Sequence, residues 1–153
     1  MTNPSYHAPV GGLPPQTQLL SGRAAFTTAY VVIPGDVMTD IVTSKLPFWS
    51  DSRFWVISRP LSGFAETFSQ YICEVMPGGG SERPEAEAQA QAVLFVIKGT
   101  LSLTLDGNTH NLEPGGYAYI APGSDWSVLN NSSSPVVFHW VRKIYEHVDG
   151  IDA

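Results

Sequence analysis

The sequence predicts an all-β fold, a sandwich or barrel of short antiparallel strands, on three observations. Leu101, Leu103 and Leu105 alternate with polar residues, which is the period-two pattern of a strand with one face in water. Asp106-Gly107 follows at once, and this dipeptide is typical of two-residue hairpin turns. The 14 glycines and 12 prolines divide the chain into short segments. Strand candidates therefore recur about every 8–12 residues, as in sandwiches and barrels.

The first half of the chain begins with an extended segment. Residues 1–22 hold four prolines and three glycines, so we expect an arm without regular structure. The run Pro77-Gly78-Gly79-Gly80 is expected to break the last strand of this half, because proline and glycine interrupt strand pairing. The strands expected between the arm and this run span residues 26–33, 37–43, 54–58 and 64–76, with a loop over residues 45–52.

The second half contains one segment whose pattern fits two structures. Residues 84–92 alternate glutamate or glutamine with alanine, residue types that favour helix, so this is the one helix-like stretch of the sequence. On a strand, the same alternation would place the polar side chains on one face. The strands expected after it span residues 93–97, 101–105, 110–112, 117–120, 126–130 and 136–145.

Composition and charge exclude several classes of function. The chain of 153 residues has a formal net charge of −6, and its eight lysines and arginines are scattered. This distribution argues against a nucleic-acid or anionic-membrane surface. No apolar run is long enough to span a bilayer, and the first residues lack the pattern of a signal peptide. Cys73 has no partner for an internal disulfide, so the expected location is the reducing cytoplasm.

The low charge content predicts a covered surface. Charged residues make up 14% of the chain, against about 25% in ordinary soluble domains. We expect one domain over residues 23–148, preceded by the arm and followed by a tail or linker over residues 149–153. The arm and the apolar residues 136–141 are the expected contacts with another protein.

Two blocks of residues carry the most specific motif of the sequence. The first runs from Pro77-Gly78-Gly79-Gly80 through Glu85, Glu87 and Gln91 to Gly99, and the second from Gly115-Gly116 through Pro122-Gly123 to Trp126 and Asn130. This spacing resembles the two motifs of the cupin superfamily. The resemblance implies a cupin-type double-stranded β-helix, or jelly-roll barrel. In that family, two histidines and a carboxylate of the first motif and one histidine of the second hold a divalent metal.

The metal ligands of that family are replaced here. Glu85 and Glu87 stand at the two histidine positions of the first motif, and Trp126 stands at the last histidine. Gln91, or Ala92 in another register, stands at the carboxylate. An indole nitrogen only donates hydrogen bonds, so we expect a metal-free barrel whose interior Trp126 fills. The alternative is an oxygen-rich Mn²⁺ or Mg²⁺ site of Glu85, Glu87 and Gln91. The pocket-lining candidates are Glu85, Glu87, Gln91, Trp126 and Asn130.

Longer stretches resemble one group of cupins more closely. They look like the N-terminal half of (S)-ureidoglycine aminohydrolase, a bicupin of allantoin and purine degradation, and lie at residues 20–24, 33–35, 95–99, 115–123 and 141–145. The resemblance implies a hydrolase that releases ammonia from ureidoglycine to give ureidoglycolate. In that family the C-terminal cupin binds the metal, typically manganese, and the N-terminal cupin is metal-poor. The resemblance therefore places no catalytic residue and no cofactor in this chain.

Three functions follow from the resemblance and from the ligand positions. The first is a structural barrel that packs against another cupin barrel, either a second domain or a second copy in a homo-oligomer. The chain would then be a domain-sized part of a bicupin or a natural single cupin. The second is a stand-alone cupin that binds a small molecule such as a ureide, and the third is a metal-dependent enzyme built on Glu85, Glu87 and Gln91. The aromatic residues that could line the pocket of the second are Trp49, Trp55, Tyr117, Tyr119 and Trp126.

Overall fold

The structure, a computed structural model, describes residues 24–26, 30–35, 43–58 and 68–151. Over those ranges the chain is all-β, as the sequence predicts, and it forms ten strands. The predicted arm and nearly all of the strand predicted over residues 37–43 lie outside the described residues. The strands are β1 (Ala25–Phe26), β2 (Val31–Val32), β3 (Ser50–Ser58), β4 (Ser69–Ser81), β5 (Ala90–Lys98), β6 (Leu101–Leu105), β7 (Asn108–Leu112), β8 (Tyr117–Ile120), β9 (Trp126–Leu129) and β10 (Val136–Ile144).

An antiparallel sheet of eight strands curls into a nearly closed barrel. Strand β10 pairs with β4 on one side and with β5 on the other, while β3 adds to β4 and β8 adds to β5. These five strands, in the order β3-β4-β10-β5-β8, are the broad half of the barrel. The narrow half consists of β7-β6-β9 and the end of β4. This arrangement is the jelly-roll barrel that the sequence predicts, and β1 and β2 form a separate pair.

Strand β4 passes from the broad half to the narrow half at the predicted break. Its residues up to Val75 pair with β10, while Gly80 and Ser81 pair with β9. The prediction that the proline and glycines would break the strand is therefore wrong. Gly78 and Gly80 have φ of 80° and 148°, and a Cβ on Gly80 would lie 2.1 Å from the carbonyl oxygen of Val128. Glycine thus lets the strand turn the corner of the barrel, where a larger residue would collide with β9.

The helix-like segment before β5 does not form a helix. Residues 83–89 are a loop that ends in a turn, and β5 begins at Ala90. Ala90 and Ala92 are buried in the strand, where β5 pairs with β10 on one side and with β8 on the other. This pairing outweighs the small helix propensity of alanine and glutamine. Within the described ranges, no helix has the length and apolar character needed to cross a membrane.

Aromatic side chains fill the interior of the barrel. The ring of Trp140 lies at the centre, with centroid distances of 5.3 Å to Tyr71, 5.7 Å to Trp49 and 5.9 Å to Trp126. Aliphatic residues of β4, β5, β6 and β9 surround these rings. Burial of one such aromatic or aliphatic side chain contributes about 1.5–3 kcal/mol. The aromatic members of the cluster are Trp49, Phe54, Tyr71, Trp126, Phe138 and Trp140.

Candidate functional site

A pocket of about 400 Å³ opens at one end of the barrel, between the loop before β5 and the turn before β9. Three of the five predicted site residues line it, namely Glu85, Glu87 and Trp126. The fold therefore brings the first motif and the second motif to the same mouth, as the resemblance implies. The other charged residues of the lining are Glu82, Arg83 and Asp125.

Glu85 is held by an ion pair at this mouth. Arg142 lies on β10 opposite Ala92 of β5. Its Nε–H donates to Oε2 of Glu85, and its Nη2–H donates to Oε1 at 2.9 Å. The backbone N–H of Glu87 also donates to Oε1, at 3.0 Å. Both carboxylate oxygens therefore have partners, and the Glu85 side chain is only 11% exposed. A bidentate guanidinium pair of this kind fixes a carboxylate in one orientation.

Gln91 lies on the outside of the barrel. It stands on β5 between the buried residues Ala90 and Ala92, so its side chain points away from the interior. Its Oε1 accepts a hydrogen bond from the Tyr119 hydroxyl at 2.9 Å. Glu87 is exposed on the loop. Ala92 rather than Gln91 thus faces inward, and the three oxygen ligands of the alternative metal site do not converge. In the described part of the chain, no group of three or more His, Cys, Asp or Glu side chains could hold a metal ion.

Trp126 occupies the interior side of the pocket. Its side chain is 7% exposed, and it meets Trp140 edge-on at an interplanar angle of 78°. Its strand pairs with β6, where Leu105 lies opposite. Edge-to-face packing of this kind adds about 0.5–1.5 kcal/mol beyond the burial of area. The second cupin-type motif therefore ends in a packed ring instead of a side chain with a free lone pair.

Asn130 anchors a loop and does not line the pocket. It is fully buried, and its Nδ2 donates to the carbonyl oxygens of Val75 at 2.9 Å and Ser134 at 2.8 Å. Its Oδ1 accepts from the backbone N–H and the hydroxyl of Ser132. All the hydrogen-bonding groups of the amide are then used. Asn130 thus fastens the loop after β9 to the middle of β4.

Cys73 is not available as a nucleophile. The side chain is fully buried on β4, and burial raises the pKa of its thiol well above the usual range. The thiolate is the reactive form, so a buried thiol of this kind is inert.

The aromatic residues of the ligand-binding alternative lie in two different places. Trp49 and Trp126 belong to the interior cluster, and the indole N–H of Trp49 donates to the Pro84 carbonyl oxygen at 3.2 Å. Trp55, Tyr117 and Tyr119 are on the outer side of the broad half. The structure therefore does not bring these five residues together around one pocket.

Two residues that contact the side chains of the pocket were missed in the sequence. Trp140 and Arg142 take part in the packing and the ion pair just described. The signal was available, because β10 alternates buried Val136, Phe138 and Trp140 with partly exposed neighbours. Extension of that alternation by two residues would have pointed Arg142 inward.

Comparisons with known proteins agree with this fold. Residues 71–142 match the family model Cupin_2, a cupin domain. Residues 71–142 are thus a cupin domain. A solved structure from Pseudomonas aeruginosa, named glyoxylate induced protein, is 58% identical with a TM-score of 0.77, over 97% of this chain and 53% of that chain. Protein Ylba from Escherichia coli is 22% identical with a TM-score of 0.75, over 90% of this chain and 55% of that chain.

The chain also resembles a curated enzyme. It is 24% identical to (S)-ureidoglycine aminohydrolase from Escherichia coli K12 over 110 residues. This match covers 72% of this chain and 41% of the enzyme. The chain spans about half the length, or less, of these three relatives. The whole length of those proteins therefore includes a further segment of about the size of this chain.

The motif residues of this barrel do not suit a divalent metal. The Glu85 carboxylate is engaged by Arg142, and Gln91 faces outward. Trp126 supplies an indole, whose nitrogen has no lone pair to offer to a metal. The donor set that a cupin metal needs is thus not assembled at this mouth.

Proposed function

We propose that this cupin is a metal-free structural barrel of a protein of the ureidoglycine aminohydrolase type. In this proposal a second cupin barrel, in the same chain or in another one, carries the metal, manganese by resemblance, and the hydrolysis of ureidoglycine to ureidoglycolate and ammonia. The observation that carries the proposal is the burial of Trp126 at the position of the last metal-binding histidine. The likeness to the curated aminohydrolase supports the choice of reaction.

The proposal assigns the Glu85–Arg142 pair a structural task. The pair holds the loop of the first motif against the end of β10, where a cupin with metal would hold its ligands. An ion pair between two side chains of the same barrel then replaces metal coordination as the link between the two sides of the mouth. In this proposal, the barrel needs no metal ion to join the two sides of its mouth.

The test measures metal and turnover in two proteins. The first is this chain, purified after growth with added Mn, Fe, Zn and Ni. The second is a chimera in which this chain replaces the matching half of the Pseudomonas aeruginosa protein, to which it is 58% identical. Elemental analysis is expected to find no stoichiometric metal in the chain alone and one metal per chimera. Ammonia release from ureidoglycine is expected from the chimera only.

Variants locate any metal that is found. Glu85→Gln with Glu87→Gln removes both carboxylates of the first motif, and Glu113→Gln is the control because Glu113 is exposed outside the pocket. The chimera is expected to keep its metal both with the double substitution and with the control substitution. Stoichiometric metal in the chain alone that is lost with the double substitution and kept with the control would establish the metal-enzyme alternative.

A ligand-binding role has a separate test. The melting temperature of the chain is measured against increasing concentrations of ureides and small carboxylic acids. A structural barrel shows no saturable shift. A binding site stabilises the folded chain by RT ln(1 + [L]/Kd), where [L] is the free ligand concentration, and so raises the melting temperature. A saturable shift with a ureide would replace the structural proposal by a binding one.

A further inference from the structure

The outer side of the broad half carries a continuous apolar surface. Side chains on β10 alternate between the interior and this side. Outward residues that lie opposite each other on the five paired strands form rows across this side. We call this surface the outer face. Its central row consists of Trp55, Ile72, His139, Phe95 and Tyr117, one from each of β3, β4, β10, β5 and β8.

The large residues of the outer face are exposed although they are hydrophobic. Phe95 is 44% exposed, Ile97 43%, Tyr117 61% and Tyr119 40%. Val93 and Val141 lie between them in the next row. Contiguous apolar patches of this kind on a folded domain mark contacts with a partner.

Charge is confined to the margins of the outer face. Arg53 and Glu74 pair with each other at 2.6 Å toward the β3 edge. Lys98 of β5 and Lys143 of β10 lie near the two opposite ends of the pairing between these strands. The centre holds apolar side chains with Gln70 and His139, and Gln91 lies beside Tyr119 at the end marked by Lys143. A surface of this composition is covered well by another apolar surface and poorly by a charged one.

The relatives indicate what covers it. The Pseudomonas aeruginosa structure follows this chain over 97% of its length, yet the chain accounts for only 53% of that protein. A domain-sized segment therefore accompanies the barrel in this relative. A second barrel can present a sheet of similar width, and two sheets pack face to face about 10 Å apart with their apolar side chains interleaved.

We infer that the outer face packs against the apolar sheet face of a second cupin barrel, centred on Phe95 and Tyr117. The inference rests on the proposed function for the nature of the partner. It goes beyond the expectation that the arm and residues 136–141 make the contact. Val136, Phe138 and Trp140 are buried inside the barrel, so only the alternate residues of β10 reach the outer face.

Cysteine labelling tests this inference. Tyr117→Cys places a thiol on the outer face, and Leu129→Cys is the matched control, because Leu129 is 43% exposed on β9 in the narrow half. Cys73 stays unlabelled because it is fully buried. Each variant is made in this chain and in the chimera with the Pseudomonas aeruginosa protein. Labelling is followed peptide by peptide by mass spectrometry.

The expected result is protection that depends on the second half. In the chain alone both thiols label at similar rates, and in the chimera the thiol at position 117 labels about tenfold more slowly or less while the control is unchanged. If the chimera does not fold, the Pseudomonas aeruginosa protein itself serves, with cysteines at the positions aligned with Tyr117 and Leu129.

Three other results would overturn the inference. Equal labelling of both thiols in the two-barrel protein shows that the outer face is free. Protection in the chain alone that grows with concentration shows that a second copy covers it. Protection in the chain alone that is independent of concentration and disappears when residues 1–22 are removed shows that the arm covers it. These results do not depend on metal or turnover, so this inference and the proposed function can fail separately.

Discussion

At the scale of single residues, the Glu85–Arg142 and Arg53–Glu74 ion pairs differ in their surroundings. Glu85 and Arg142 have side chains that are 11% and 21% exposed, and they share two hydrogen bonds. Arg53 and Glu74 are 54% and 18% exposed and share one. Solvent screens the second pair more strongly, because its arginine is more exposed. The first pair should therefore matter more for stability.

A double-mutant cycle measures this difference. Glu85→Gln, Arg142→Met and the double variant are expected to give a coupling free energy of about 1–3 kcal/mol, because each single change leaves a mostly buried partner unpaired. The same cycle with Arg53→Met and Glu74→Gln is the control, with an expected coupling of about 0.2–1 kcal/mol. Urea unfolding of the isolated chain supplies the free energies. Equal coupling in the two cycles would show that the mouth pair does not hold the loop.

At the scale of elements, β4 joins the two halves of the barrel. Its first part lies between β3 and β10, and its last two residues pair with β9. The crossing depends on Gly80, whose φ of 148° brings the backbone close to Val128. Two backbone hydrogen bonds fasten the same corner: the N–H of Asn130 donates to the Gly79 carbonyl oxygen at 2.9 Å, and the N–H of Gly78 donates to the Asn130 carbonyl oxygen at 2.8 Å. A side chain at Gly80 therefore disturbs the contact between halves and not only one strand.

Gly80→Ala tests the role of this corner. The added Cβ would lie 2.1 Å from the carbonyl oxygen of Val128, and backbone cannot yield as a flexible side chain can. We expect the free energy of unfolding to fall by about 3 kcal/mol or more. Gly107→Ala is the control, since it also has positive φ but no atom within 4 Å of the added Cβ. It is expected to lose about 1–2 kcal/mol. A loss at Gly80 no larger than at Gly107 would contradict this role for the corner.

At the scale of the whole molecule, alternation along the strands predicted the fold but not the direction of every side chain. Leu101 and Leu103 are buried as their pattern indicates, and Trp126 lies in the interior as expected. Gln91 was placed with the site because its direction depends on where β5 starts, and a one-residue shift exchanges it with Ala92. The crossing of β4 was missed because proline and glycines interrupt a strand and also turn a corner, and local sequence does not distinguish these outcomes.

The stability of the whole barrel is also expected to depend on pH, because His139 lies on the outer face. This histidine is half-buried between Ile72 and Phe95, and its Nδ1 lies 3.5 Å from Nε2 of Gln70. The nearest carboxylate in the strand register is that of Glu74, which is paired with Arg53. Burial lowers the pKa of His139 below its ordinary value. The unfolded chain therefore binds this proton at a higher pH than the folded chain does, and stability contributed by the neutral ring is lost as the pH falls below about 6.5.

His139→Gln should remove this part of the pH dependence. The urea midpoint of the isolated chain is measured at pH 7.5 and at pH 5.5, and it is expected to fall more between these values in the original chain than in the variant. His110→Gln is the control, because His110 is exposed on β7, and it should keep the original difference. If His139→Gln and the original chain lose the same stability on acidification, the proton is taken up elsewhere. If covering of the outer face in the two-barrel protein buries His139 further, its pKa falls further, and the loss of stability becomes larger and extends to lower pH.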